Sequence, residues 1–216
     1  MNITNVLGLP DALVNAVKND PDQSGGDISV TKLIDAPQRR VLYKKFKDFV
    51  VEDASERIWS LLGQAVHTIL ERAQSNALKE QRLYARILDW NVSGQFDRLD
   101  LHDECLDDYK VTTVYKANGD KKWEEQLNCL AQLARENGMK VSKLRIIAIL
   151  RDWKKSEALR KPEYPQSNVV IIDVPVWSET DCLAYIRGRV ESHKMAEAGE
   201  IIPCTDEERW YSGTTY

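Results

Sequence analysis

Two short runs of almost unbroken apolar residues constrain the fold of this chain more than any other feature. Residues 143–151 read KLRIIAILR and residues 168–176 read NVVIIDVPV, and both are rich in β-branched side chains. Strands that are buried inside a sheet have this pattern, whereas strands with one solvated face alternate apolar and polar residues. The two runs therefore predict buried strands in a sheet that is covered by other elements.

The surrounding sequence predicts what covers that sheet. Apolar residues at helical spacing predict three helices, at residues 53–75, 122–137 and 178–199. Alternating segments between the first two helices predict three strands, at residues 81–90, 92–101 and 105–115, with the first turn at 91–94. This order predicts an α/β fold in which a central mixed β-sheet is flanked by α-helices on both faces.

Local signals at the N-terminus predict a separate extension. Residues 11–18 are compatible with a short helix, and the turn-forming residues of 19–26 predict a loop. Ser29 or Thr31 could cap a short helix that Pro37 interrupts, and a basic helical stretch follows. We therefore expect an N-terminal extension over residues 1–27 and one domain over residues 28–216, a length that fits a single α/β domain.

Charge and hydropathy exclude some classes of protein. The formal net charge of −4 argues against a protein that coats nucleic acid without specificity, but it allows an enzyme that touches a few phosphates. No apolar run approaches the ~20 residues that span a bilayer. The first residues also lack the pattern of a signal peptide. The sequence predicts a cytoplasmic protein without a membrane partner.

Two carboxylates and a lysine predict a catalytic metal site. Asp108 and Lys110 are two apart on a predicted strand, so their side chains share one face. Asp97 lies on the preceding strand, from which a hairpin can bring its carboxylate beside that of Asp108. Two adjacent carboxylates repel each other, and a divalent cation relieves this; Mg²⁺ prefers such oxygen ligands. The carbonyl oxygen of Tyr109 is a further candidate ligand, and Lys110 can orient or deprotonate the attacking water.

Two interpretations are possible for a histidine on the first long helix. The imidazole of His67 could complete the metal site, which would favour Mn²⁺ because that ion accepts nitrogen ligands better than Mg²⁺ does. Taken by itself, a histidine at this position is more often a solvent-facing or hydrogen-bonded core residue.

The ordered set of these residues resembles the RecB-type branch of the PD-(D/E)XK nucleases. The resemblance rests on G-x-x-x-H, G-x-x-D and D-x-K followed by a glutamine, here at residues 63–67, 94–97, 108–110 and 126. It implies a restriction-endonuclease-like fold. It also implies that His67, Asp97 and Asp108 bind Mg²⁺ or Mn²⁺, and that Lys110 acts in catalysis with the two aspartates. The segment SVTKLIDAPQRRVLYKK is similar to phage and prophage members of this branch.

Two departures from the family pattern limit what the resemblance implies. The family often has a tyrosine four residues after the glutamine, but Leu130 follows Gln126 at that distance, so the implied substrate contact of Gln126 lacks its partner. Iron–sulfur members carry one cysteine before the core and three clustered cysteines after it. The four cysteines here are not closely spaced, at residues 105, 129, 182 and 204. We therefore expect no iron–sulfur cluster, and reduced thiols instead.

Clustered cations are candidates for contact with the substrate. Four of them could bind DNA phosphates or could simply form solvated surfaces, namely Arg39, Arg40, Lys121 and Lys122.

Together with the family resemblance, the sequence predicts a Mg²⁺- or Mn²⁺-dependent DNA nuclease, of the exonuclease kind. The resemblance alone implies a role in recombination, repair or replication, in the host cytoplasm if a phage encodes the protein. The alternatives are a catalytically weak nuclease-fold protein that binds DNA or a partner protein, and a metal-dependent hydrolase acting on RNA or a nucleotide. The expected partner is DNA, with a homo-oligomer or a recombination protein as further partners.

Overall fold

The structure is a computed structural model that describes residues 2–18, 25–206 and 208. It contains eight strands: β1 (Asn2–Thr4), β2 (Ile28–Ser29), β3 (Val51–Asp53), β4 (Leu78–Ile87), β5 (Trp90–Asp100), β6 (Cys105–Thr112), β7 (Lys143–Leu150) and β8 (Val169–Val174). It contains seven α-helices: α1 (Asp11–Lys18), α2 (Val30–Leu33), α3 (Pro37–Phe46), α4 (Ile58–Arg72), α5 (Lys121–Glu136), α6 (Lys155–Arg160) and α7 (Glu179–Glu197). Two short 3-10 helices precede α4 and α5, at Ala54–Arg57 and Val114–Lys116.

Six of the strands form one mixed sheet around β5. The antiparallel partner β4 pairs with β5 along almost its whole length. The other edge of β5 is shared, because β2 pairs there in parallel at Val92 and Ser93, and β6 pairs antiparallel from Arg98 to Asp100. Beyond β6, the sheet continues with β7 in parallel and β8 antiparallel. The predicted mixed sheet with accompanying helices is confirmed at this level.

Helix α5 covers one face of the sheet and forms the main core with it. The apolar face predicted for this helix is buried, including Leu127 and Leu130. A Cβ atom added to Gly94 on β5 would lie 2.5 Å from a Leu130 methyl carbon. Only glycine therefore allows α5 to lie this close to β5.

The other face of the sheet is less well covered. Along β7, alternate residues are buried while Arg145, Ile147 and Ile149 between them stay partly exposed. Helix α4 packs over β6 on the sheet, but none of the residues of α4 is fully buried. The run 143–151 was predicted to be uniformly buried. It is rich in apolar residues, but only every second residue of β7 is buried.

The N-terminal residues pack against the start of α4. Strand β1 pairs in parallel with β3, and Val14 and Val17 of α1 form a small second cluster with Ala54. The short helix predicted at residues 11–18 is confirmed with these bounds. The loop predicted at 19–26 lies largely outside the described residues.

Several element boundaries differ from the sequence prediction, among them the start of α4 at Ile58 rather than residue 53 and of β4 at Leu78 rather than residue 81. The first hairpin turns at Leu88 and Asp89, not at residues 91–94, and Leu88 has a left-handed φ of 55°. The turn was predicted from Gly94, but this glycine lies within β5, where it allows α5 to pack closely against the sheet. The third strand ends at Thr112 rather than at residue 115, and helix α6 lies between β7 and β8, where the sequence analysis predicts no helix. Within the described residues, no helix combines the length and the hydropathy needed to cross a bilayer.

Candidate metal centre

Strands β5 and β6 separate at the candidate site. Their ladder of paired residues runs from Asp100–Cys105 to Arg98–Asp107 and then ends. The next free amide, that of Tyr109, donates instead to Oδ2 of Asp97 at 2.6 Å. Because the amide and carbonyl of one strand residue point to the same edge, the Tyr109 carbonyl also faces this gap. The separation opens a space between the strands that carry the two predicted aspartates.

Three ligand-type side chains meet beside this gap. Nδ1 of His67 lies 3.4 Å from Oε1 of Glu80 and 3.4 Å from Oδ1 of Asp97. One ligand atom from each of the three residues lies within 4.8 Å of the other two. The residues come from α4, β4 and β5, so three separate elements define the cluster.

Sequence reasoning missed Glu80. Its neighbours Lys79 and Gln81 pair with Arg98 and Phe96, which places Glu80 directly opposite Asp97. Its φ of 48° is left-handed, a conformation that costs a residue with a Cβ roughly 1–2 kcal/mol. The predicted strand began only at residue 81, because the turn was placed several residues too late. Extending the register back from the true turn would have found Glu80.

Two further side chains hold Glu80 in place. The amide nitrogen of Gln95 donates to Oε2 of Glu80 at 2.7 Å. The Gln95 amide oxygen in turn accepts from the guanidinium of Arg82 at 3.0 Å. One carboxylate oxygen of Glu80 is therefore anchored to the sheet, while the other faces His67.

Asp108, Lys110 and Gln126 form a second, more buried group. Nζ of Lys110 lies 2.8 Å from Oδ2 of Asp108 and donates to Oε1 of Gln126 at 3.1 Å. The Gln126 amide nitrogen donates to Oδ1 of Asp108 at 3.4 Å. The Lys110 contact is a close ion pair without hydrogen-bond alignment, so the buried Oδ2 has no hydrogen-bond donor.

Burial, hydrogen bonds and neighbouring charges raise the pKa values of two groups at the site. Burial, and more weakly the charge of Asp97, raises the pKa of Asp108 to about 6, although Lys110 acts to lower it. Hydrogen bonds to Asp97 and then to Glu80 raise the pKa of His67 to about 10, although partial burial acts to lower it. At neutral pH the proton on His67 compensates the crowded carboxylates.

These residues fit a divalent cation. Repelling carboxylates, a buried carboxylate oxygen without a donor and an imidazole provide the oxygen and nitrogen ligands that Mn²⁺ accepts. His67, Glu80 and Asp97 could hold such an ion, with the Tyr109 carbonyl and Asp108 facing the same region.

The four cations predicted to bind substrate lie elsewhere. Arg39 pairs with Asp35 at 3.3 Å, as does Lys122 at 3.2 Å. Lys121 and Lys122 open α5, more than one helical turn before Gln126, and line a cleft of about 550 Å³. Arg40 is mostly buried and binds Glu197 and His193. Their contact with substrate stays a prediction.

The cysteines do not form a group around the site. Three are buried, Cys105, Cys129 and Cys182, while Cys204 is partly exposed. Burial raises the pKa of Cys105 to about 11, so its thiol stays protonated at neutral pH. The expected lack of an iron–sulfur cluster stays a prediction.

Comparison with known proteins bears on the fold alone. No protein-family model and no curated protein matches the chain. A solved structure described as the crystal structure of SSO0001 superposes with a TM-score of 0.58 and 14% sequence identity. The match covers 83% of this chain and 83% of that chain. The two chains therefore share an overall fold.

Proposed function

We propose that this protein is a Mg²⁺- or Mn²⁺-dependent nuclease, of the exonuclease kind, that hydrolyses phosphodiester bonds in DNA on a restriction-endonuclease-like fold. The observation that carries the proposal is the contact of Lys110 with Asp108 and Gln126 beside the cluster of His67, Glu80 and Asp97. A lysine next to side chains that could hold a divalent cation suits metal-assisted hydrolysis of a phosphodiester.

The protein's own groups have distinct tasks in this reaction. A bound divalent cation would supply the positive charge that activates a water and polarises the phosphate. Lys110 donates from a fixed position, because Asp108 and Gln126 hold its ammonium group. That ammonium can orient the attacking water or neutralise charge that develops on the phosphate oxygens. Asp97 fixes the Tyr109 backbone and thereby the position of the Tyr109 carbonyl.

The imidazole supports Mn²⁺ as the preferred ion. Carboxylates suit Mg²⁺ and Mn²⁺ alike, but a nitrogen ligand favours the transition metal. His67 lies at hydrogen-bond distance from two carboxylates, so a single ion could contact all three side chains after small shifts.

A cleavage assay tests the proposal. End-labelled single- and double-stranded DNA is incubated with the protein and Mn²⁺, Mg²⁺ or EDTA. We expect cleavage with Mn²⁺ and none with EDTA, and we expect Lys110→Ala to lower the rate by ~10²- to 10⁴-fold. Lys143→Ala, an exposed lysine at the start of β7, is the matched control and should cleave normally.

The outcomes separate the candidate functions. Metal-dependent cleavage that Lys110→Ala retains would overturn the assignment of the site. Binding of DNA without cleavage under any metal would favour the nuclease-fold binding protein instead.

A further inference from the structure

A cleft leads away from the metal cluster between α4 and β4. It has a volume of about 680 Å³ and is lined by His67 and Glu80 at one end and by Arg82, Tyr84 and Gln95 further along the sheet. Helix α4 supplies the opposite wall with Gln64, Thr68 and Glu71. The cleft therefore begins at the proposed reaction centre and continues over a polar surface.

One face of β4 forms the floor of this cleft. Glu80, Arg82 and Tyr84 are alternate residues of the strand, so their side chains follow one another on the same side, ~7 Å apart. Of the two intervening residues, Leu83 is buried in the core below and Gln81 is exposed. The row presents a metal-cluster carboxylate, then a cation, then an aromatic ring.

The side chains of this row are held in place. Arg82 donates to Gln95 at 3.0 Å and keeps donors for another acceptor. The Tyr84 side chain is 43% exposed, and its hydroxyl end lies against Gly25, where an added Cβ would come within 2.6 Å of it. The ring is thus fixed along one edge, and much of it is open to solvent.

We propose that this cleft binds a single strand of DNA next to the scissile phosphate, with Arg82 on a phosphate and Tyr84 stacked on a base. The proposal rests on the nuclease function proposed above and specifies its substrate. A guanidinium matches a phosphate oxygen pair, and an aromatic ring beside it stacks on bases of any sequence.

A single strand fits this cleft better than a duplex. Paired bases are stacked on each other and offer no face to Tyr84, whereas an unpaired base can stack on the ring. The volume also lies within the ~300–1,000 Å³ of sites for small ligands, which suits one or two nucleotides. The carboxylate of Glu71 lines the α4 side of the cleft and repels the DNA phosphates, so it should weaken the binding that Arg82 supports.

Binding of a short labelled oligonucleotide, measured by fluorescence anisotropy in EDTA, tests the proposal. EDTA prevents cleavage and removes any effect of metal affinity. Tyr84→Ala should weaken single-strand binding by roughly 5- to 150-fold, which corresponds to one stacked base. Tyr84→Phe keeps the ring and should bind like the wild type. Glu71→Gln should bind the strand more tightly.

The salt dependence isolates the phosphate contact. Arg82→Gln should lower the slope of log affinity against log salt by about 0.7, the value for one phosphate of a single strand. Arg86→Gln, on the same strand but outside the cleft, should leave the slope unchanged. Duplex of the same sequence should bind more weakly and should not respond to Tyr84→Ala.

Failure of this inference is distinguishable from failure of the proposed function. If the protein cleaves DNA but Tyr84→Ala and Arg82→Gln bind the strand normally, the assignment of the cleft to a DNA strand is wrong and the nuclease function is supported. If the two variants lose binding while no metal supports cleavage, the cleft is supported as a binding site for a DNA strand and the nuclease function is contradicted. No measurable binding in EDTA, or equal loss of duplex binding in Tyr84→Ala, overturns the single-strand assignment.

Discussion

Two histidines of this protein have opposite surroundings. His67 on α4 lies between the carboxylates of Glu80 and Asp97, and hydrogen bonds to them raise its pKa to about 10. His193 on α7 is fully buried, and this burial lowers its pKa to about 4. One imidazole is therefore held as a cation beside anions, and the other is held neutral in the core.

The partners of His193 indicate a structural role. Its Nδ1 accepts from Arg40 at 3.2 Å, and its Nε2 lies 3.0 Å from the carbonyl oxygen of Leu33. These contacts assign the proton to Nε2 and connect α7 to α2 and α3. The contrast teaches that anionic partners keep the candidate ligand His67 charged, whereas burial keeps the core histidine His193 neutral.

The largest expected effect concerns catalysis at His67. His67→Ala should lower Mn²⁺-dependent cleavage by ~10²- to 10³-fold, since it removes a metal ligand of the proposed site. The metal-free variant should also melt at a lower temperature, because it lacks the cation that lies between the carboxylates of Glu80 and Asp97. Cleavage rates and thermal melts would be compared with those of His102→Ala, an exposed histidine. Normal cleavage by His67→Ala would show that His67 is not a ligand of the catalytic metal ion.

The second expected effect concerns stability at His193. His193→Ala should lower the free energy of unfolding by about 2–4 kcal/mol, because it leaves a cavity and removes the partners of Arg40 and the Leu33 carbonyl. Cleavage per folded molecule should be retained. Urea titrations would measure the change, with His102→Ala expected within ~0.5 kcal/mol of the wild type. A strong loss of cleavage in fully folded His193→Ala would contradict the structural role.

The third effect is the pH dependence of stability that His193 produces. Above its unfolded pKa of 6.5, both states carry a neutral imidazole and the full stability is present. As the pH falls from 6.5 toward about 4, only the unfolded state takes up the proton, so up to about 3 kcal/mol of stability is lost. Urea midpoints across this range should fall less steeply in His193→Gln. Parallel curves for the two proteins would show that His193 does not titrate as its surroundings require.

Part of the fold was predictable because its signals are local. The helical period of the apolar residues and the capping signals determine the helices. Helix α5 accordingly begins and ends within one residue of its predicted bounds, and Ser178 caps α7. The spacing of Asp108 and Lys110 placed both side chains on one side of β6, where the structure brings them to 2.8 Å. These features depend on residues that are close together in the chain.

What the sequence did not predict depends on contacts between distant elements. Glu80 joins the site only through the register of β4 on β5. The sequence analysis missed it because the turn between the two strands was placed a few residues too late. Gly94 was interpreted as a turn residue because its packing against α5 is a tertiary contact. Arg40 was a candidate for phosphate binding, but its partners lie on α7, far along the chain.

The smallest expected effect links metal affinity to the proton on His67. The cation cannot bind an imidazolium, so Mn²⁺ must displace the proton that Asp97 and Glu80 hold there. Because the pKa of His67 is about 10, Mn²⁺ affinity should rise by about tenfold per pH unit through the neutral range. Calorimetry from about pH 7 to about pH 8.5 would measure this slope, and buffers of different ionisation enthalpy would count the released proton. His67→Gln should bind Mn²⁺ more weakly and with a nearly flat pH dependence, since Asp108, with a pKa of about 6, is already ionised there. A slope that persists in His67→Gln would place the displaced proton on another group and would take His67 out of the metal centre.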